Sequence, residues 1–286
     1  MDWPKIKSIL IIVLLITNIM LGYTYIKEQQ RFEDTEKNNI EGVIKLFENK
    51  GVLIQSKKLM FPNSIKSVNV DFETYSQSNV DALLGNDYTF DGERYISGDR
   101  FVVLGETHIL YAYDVHQSRI VQDELPSLAR FVEVTDKEVV KSLNLKVDSF
   151  LTKGGYALNY EALQVFKLGD YTLVKLLQYY DGYLFEESQT LIWLYDDEIV
   201  GFKRENTINI SSTPGSKYDI ISIDRILYTL LPKLQTGDVI ESVSVIYKLN
   251  DESLLVSDLV LGEALPYYRI VLKSGEAYHV RAVVNL

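Results

Sequence analysis

Side chains able to do acid–base or metal chemistry are thinly spread along this chain. The three histidines, His108, His116 and His279, stand far apart, and none has a second histidine at the spacing that brings two imidazoles to one ion. Cysteine is absent, which removes thiolate metal sites, thiol nucleophiles and disulfides together. With 40 acidic residues, adjacent carboxylates arise by chance. The pair Asp196-Asp197 lies between two strand-like runs, where a tight turn explains both residues without acid–base work. His279 alternates with Ala277 and Arg281 on the face opposite Tyr278 and Val280, so it reads as a solvated strand position. A nucleophile elbow, a phosphate-cradling glycine loop and a zincin motif are all missing. Asn209-Ile210-Ser211 has the form of a glycosylation acceptor but carries little weight alone. The sequence therefore predicts no catalytic residue, no metal ligand and no cofactor.

The sharper chemistry lies in an apolar stretch near the N-terminus. Residues Ile9 to Ile26, eighteen in all, contain no charge and follow a short head, Met1 to Ser8, that carries Lys5 and Lys7. At about 1.5 Å per residue such a helix spans roughly 27 Å, close to the ~30 Å hydrocarbon core of a bilayer. The bulky Leu21-Gly22-Tyr23-Thr24-Tyr25 run offers no small-residue cleavage pattern, and the first alanine is Ala82, so an uncleaved anchor is expected. The basic head favours a cytoplasmic N-terminus, with everything from Lys27 onward extracytoplasmic in a single-pass cell-membrane protein. Asn18 and Gly22 are four residues apart and share a helix face, flanked by Thr17 and Thr24. An amide in hydrocarbon seeks a partner and glycine permits close approach, which makes Asn18, Gly22 and Thr17 the candidate contacts to a neighbouring helix.

Beyond the anchor the chain is acidic: without Asp2, Lys5 and Lys7 it keeps 27 basic against 39 acidic residues, a net charge of −12. Such a field repels nucleic acid and anionic headgroups. Without disulfides, an exported domain must be held by its core, and 47% apolar residues with 20 Tyr and 11 Phe suit half-buried sheets. Four segments are expected: a tail 1–8, the anchor 9–26, a membrane-proximal region 27–127 and a distal domain 128–286. The first region reads as an amphipathic helix over Asp34 to Asn49 ended by Gly51, strands over Val52 to Leu59 and Val68 to Glu73, a short helix over Val80 to Leu84 stopped by Gly85, and hairpin strands ending near Tyr113. The polar stretch His116 to Ser127 reads as a connection. The distal domain opens with Thr135 and Glu138 at capping-box spacing, then a helix and a meander over Tyr171 to Arg204 with turns at Asp181-Gly182 and Asp196-Asp197. Ser222 caps a helix that Pro232 ends, and a closing hairpin turns at Ser274-Gly275. The fold class is α+β: an N-terminal transmembrane helix, then antiparallel sheets with helices packed on one face, in two similar subdomains.

The head MDWPKIKSILIIVLLITNIML resembles that of the YycI (WalI) family, in which Met-Asp-Trp, a pair of lysines and an uncleaved apolar helix precede an exported α+β region. The stretch ALPYYRIVLKSGEAYHVRAV is similar as well, although Pro4 departs from the polar residue expected there. This resemblance implies a membrane protein of low-GC Gram-positive bacteria. With a YycH-like partner, it would modulate a sensor histidine kinase of the YycG (WalK) type in the two-component system controlling cell-wall metabolism. Two functions compete: a non-enzymatic regulatory subunit of such a kinase, and an anchored extracytoplasmic ligand-binding or inhibitor module that acts independently of it.

Overall fold

A computed structural model describes residues 3–57, 59–116, 132–209, 212–249 and 261–283, with side chains of the first helix described at positions 10, 11, 13–27 and 37–50. The predicted connection largely falls in 117–131, and the Ile210-Ser211 half of the acceptor triplet also lies outside the described residues. The chain opens with helix α1 (Trp3–Lys50), strands β1 (Leu53–Ile54) and β2 (Ser64–Asp71), helix α2 (Gln77–Leu84), and strands β3 (Thr89–Phe90), β4 (Tyr95–Ser97), β5 (Arg100–Leu104) and β6 (His108–Tyr113). It continues through β7 (Val132–Glu133), helix α3 (Lys137–Lys153), β8 (Ala162–Leu168), β9 (Tyr171–Leu177), β10 (Tyr179–Tyr180), β11 (Tyr183–Phe185), β12 (Gln189–Tyr195) and β13 (Glu198–Glu205). Last come β14 (Thr213–Asp219), helix α4 (Ile223–Leu230), β15 (Val239–Leu249), β16 (Leu261–Leu272) and β17 (Ala277–Arg281).

These strands form two sheets, so the chain is α+β. The first runs β10-β11-β15-β16-β2-β14, with β1 also on β15 and β17 on β16; the second runs β3-β4-β5-β6-β13-β12-β9-β8-β7. All pairings are antiparallel except β1 with β15 and β11 with β15, which are parallel. Helices cover one face of each sheet. Ile40, Val43 and Phe47 of α1 join Ile223, Ile226, Leu227 and Leu230 of α4 over the first sheet. Val80 and Leu84 of α2 with Leu143, Val147 and Leu151 of α3 cover the second.

Local chemistry explains the ends of these elements. At the end of α1, Gly51 takes φ +78°, its N–H bonds the Glu48 carbonyl at 2.9 Å and the Val52 N–H bonds the Phe47 carbonyl at 2.9 Å. This paired closure needs a left-handed residue and brings Val52 onto Phe47, both fully buried. The turns expected at Asp181-Gly182 and Asp196-Asp197 have positive φ at both residues, as a two-residue hairpin loop requires.

Several expectations need correction. The amphipathic helix over Asp34 to Asn49 is the last part of one uninterrupted 48-residue helix, because no proline or glycine cap separates it from the apolar stretch. Helix α3 is capped by Asp136, whose Oδ1 accepts from the Glu138 and Val139 amides at 2.9 and 3.3 Å, so the expected Thr135 cap is one residue early. The strand expected over Val52 to Leu59 pairs only at Leu53–Ile54. The meander Tyr171 to Arg204 does not stay in one sheet: after Leu177 the β10-β11 hairpin crosses to the edge of the first sheet, and the chain returns at Gln189. Each sheet thus draws strands from both sides of residues 117–131. Among the described residues, no helix is long and apolar enough to cross a membrane.

Candidate functional site

Three features stand apart from ordinary core packing: the free half of α1, a buried polar joint between the sheets, and a charged cleft beside it. Along α1, twelve large hydrophobic residues from Leu10 to Ile26 are exposed, each by 56–69%. Because they include the four consecutive positions Val13, Leu14, Leu15 and Ile16, they surround the helix rather than form a stripe. Within this stretch the Thr17 hydroxyl donates to the Val13 carbonyl at 2.9 Å and the Thr24 hydroxyl to the Met20 carbonyl at 2.8 Å. Those two donors are satisfied inside their own helix. The Asn18 amide makes no hydrogen bond with any described residue, and a Cβ built on Gly22 would meet nothing within 4 Å. Asn18, Gly22 and Thr17 therefore lie within two turns of each other, with Asn18 alone keeping unused donors.

The polar joint centres on Arg204, only 1% exposed although it carries a full charge. Its Nη2 lies 2.7 Å from Glu73 Oε2, and the same nitrogen donates to the Ala157 carbonyl at 2.9 Å and to Asn159 Oδ1 at 2.8 Å. The guanidinium also sits over the Tyr156 ring, 5.6 Å from its centroid. Glu73 follows β2 of the first sheet and Arg204 belongs to β13 of the second, so the ion pair ties one sheet to the other. Burial pushes the Tyr75 phenol upward despite Arg204 acting against it, and burial raises Tyr156 likewise, so both rings stay neutral. Where the chain crosses between sheets, Gln178 and Ser188 are both buried and the Ser188 hydroxyl donates to Gln178 Oε1. The Gln178 amide also donates to the Asn159 and Ile208 carbonyls at 2.8 and 3.0 Å and accepts from the Ile208 N–H at 2.8 Å. The crossing hairpin is thereby held at both ends.

The cleft lies where the helix-free faces of the two sheets approach. Its volume is about 560 Å³, with Phe166 and Lys175 on the second sheet facing Leu184, Glu186, Ile246 and Arg269 on the first. Glu186 Oε1 is 3.0 Å from Arg269 Nε, and Oε2 is 2.7 Å from His279 Nε2. Burial pushes the Glu186 carboxyl up, but the His279 hydrogen bond and the charges of His279 and Arg269 outweigh it and hold the group below its ordinary value. Lys175 is held below the usual lysine value by burial first and Arg269 second, with Glu186 opposing. His279 is exposed, as expected of a solvated strand position, and its Nε2 also reaches Glu186 Oε2 from β17.

The sequence did not single out Arg204, Glu73, Lys175, Glu186 or Arg269. One signal was present: Arg204 follows Phe202 at strand spacing, and Phe202 is fully buried, so alternation alone places an arginine on the buried face. The pairing of Glu186 with Arg269 and His279 had no local signal. Among the described residues, no group of three or more histidine, aspartate or glutamate side chains could hold a metal ion. No family model matches the chain, and no curated protein matches it. Among solved structures the Bacillus megaterium YpeB C-terminal domain is similar at 9% identity and a TM-score of 0.29, covering 88% of this chain and 93% of that one, a likeness too slight to carry an argument.

Proposed function

We propose that this chain is a non-enzymatic, membrane-anchored regulator of a YycG (WalK)-like sensor histidine kinase. It acts with a YycH-like partner through its transmembrane helix and its extracytoplasmic domain. The observation that carries this reading is the division of α1, whose apolar half is exposed on every side while Ile40, Val43 and Phe47 are clamped into the first sheet. An apolar helix exposed all round, with no partner among the described residues, suits lipid or another helix. Counted over the whole sequence, Ile9 to Ile26 supplies eighteen uncharged residues, the length a bilayer asks for. The family resemblance of the head and the closing hairpin adds the partner class. Regulation then works by differential binding to the active and inactive kinase, for which about 1 kcal/mol gives a several-fold change in output, comparable to one interhelical hydrogen bond.

The test replaces residues 9–26 with an unrelated anchor and, separately, makes Asn18→Leu, then measures transcription of the kinase's target genes at equal protein level. Loss of regulation with the foreign anchor, and partial loss with Asn18→Leu, is expected. Unchanged transcription in both would reject the helix as the regulatory surface. The inter-sheet cleft favours a second reading, an extracytoplasmic ligand-binding module independent of the kinase, which predicts unchanged transcription even when the whole gene is deleted.

A further inference from the structure

We infer that the inter-sheet cleft is a binding site for a small amphipathic oxyanion, a carboxylate or phosphate on an apolar body, whose charged group sits between Lys175 and Arg269. This goes beyond the regulatory reading and does not depend on it. The two cations come from different sheets and line one cleft. Glu186, the carboxylate beside them, has both oxygens committed, one to Arg269 and one to His279. Glu133 on the rim is exposed, and Lys175 makes no ion pair with any described residue. Arg269 meets Glu186 through Nε, which leaves its two terminal nitrogens without a hydrogen bond to any described residue. Two neighbouring cations with unused donors repel one another until an anion bridges them.

One further base nearby has unused donors. Arg281, on the same face of β17 as His279, has Nε and Nη2 buried without a hydrogen-bond partner among the described residues, whereas Lys248 on β15 faces Glu187 at 3.6 Å. The volume of about 560 Å³ lies in the small-molecule range, and the Phe166, Leu184 and Ile246 walls suit an apolar body rather than a bare ion. Burial and Arg269 hold Lys175 below its ordinary value, and an anion beside the amine would oppose that lowering.

Hexanoate, hexyl phosphate and hexanol serve as probes, each measured by ligand-observed NMR against the full-length chain in lipid nanodiscs, with empty nanodiscs subtracted. Hexanoate or hexyl phosphate should bind and hexanol should not, and the stronger of the two anions identifies the headgroup. Inorganic phosphate should displace whichever anion binds. Lys175→Met should weaken binding by roughly tenfold or more, the loss of one charge-assisted contact, while Lys175→Arg should retain it. Thermal unfolding of both variants reports whether they fold. Absence of binding by either anion, equal binding of hexanol, or equal affinity in wild type and a folded Lys175→Met variant would each overturn the assignment.

Discussion

Replacing Arg204 by methionine tests how the two sheets are held together. Methionine keeps the length and apolar stem, so the loss is that of the guanidinium. Removal of this group leaves the Glu73 carboxylate, whose side chain is 16% exposed, without its 2.7 Å partner, and strips donors from the Ala157 carbonyl and Asn159 Oδ1. Breaking a buried pair by deleting one member costs about 3–5 kcal/mol, because the remaining charge stays desolvated. That is a large part of the roughly 5–15 kcal/mol available to a typical domain. At about 2–4 °C per kcal/mol for a domain of this size, the unfolding midpoint should fall by roughly 6–20 °C. The assay is thermal unfolding of the full-length chain in detergent, followed by circular dichroism. Replacing both members, Arg204→Met with Glu73→Leu, should recover a substantial part of the loss, since no buried charge then lacks a partner. A fall below about 1 kcal/mol in the single variant, or strict additivity in the pair, would refute the view that this contact joins the sheets.

Four further outcomes are expected. The portion from Lys27 onward should fold without residues 1–26 and unfold cooperatively, because the described core contacts of α1 are those of Ile40, Val43, Ile44 and Phe47; a soluble fragment lacking sheet signal would contradict this. Phe47→Ala should cost about 3–5 kcal/mol in that fragment, since the ring is fully buried beneath α4; a loss under 1 kcal/mol would show that α1 is not clamped. Glu186 is held below its ordinary 4.5, so its stabilising contribution is present above that pH and is lost as pH falls through its folded value; wild type and Glu186→Gln should converge in acid, and parallel profiles would reject the ion-pair assignment. Lys175 is lowered from 10.5, so wild type should gain stability relative to Lys175→Met as pH rises from the folded value toward 10.5; a flat difference would mean that the amine is not perturbed.

Much of the fold was legible because its signals are local. Gly51, Gly85 and the Asp181-Gly182 and Asp196-Asp197 turns mark element ends through backbone conformations that few residues adopt. The alternation of Tyr268, Ile270 and Leu272 identified the buried face of β16, which lies under the helices. What escaped was the assignment of strands to sheets. The hairpin of β10 and β11 has the same local pattern as its neighbours, and only the long-range pairing of Leu184 with Ile246 places it on the first sheet. That crossing creates the cleft, so Lys175, Glu186 and Arg269 could not be grouped from spacing: they are brought together by a pairing between residues about sixty positions apart. Arg204 was partly legible from its place after Phe202, whereas its partner Glu73 was not.

The central claim is that the apolar half of α1 is a surface for the membrane and a kinase complex. The most direct measurement is copurification of the tagged full-length chain with a YycG-like kinase and a YycH-like protein from detergent-solubilised membranes, comparing wild type with a variant whose residues 9–26 are exchanged for an unrelated anchor. Recovery of both partners with wild type, and a marked loss of kinase with the exchanged anchor, is the predicted result. Equal recovery with both chains, or none with either, would contradict it.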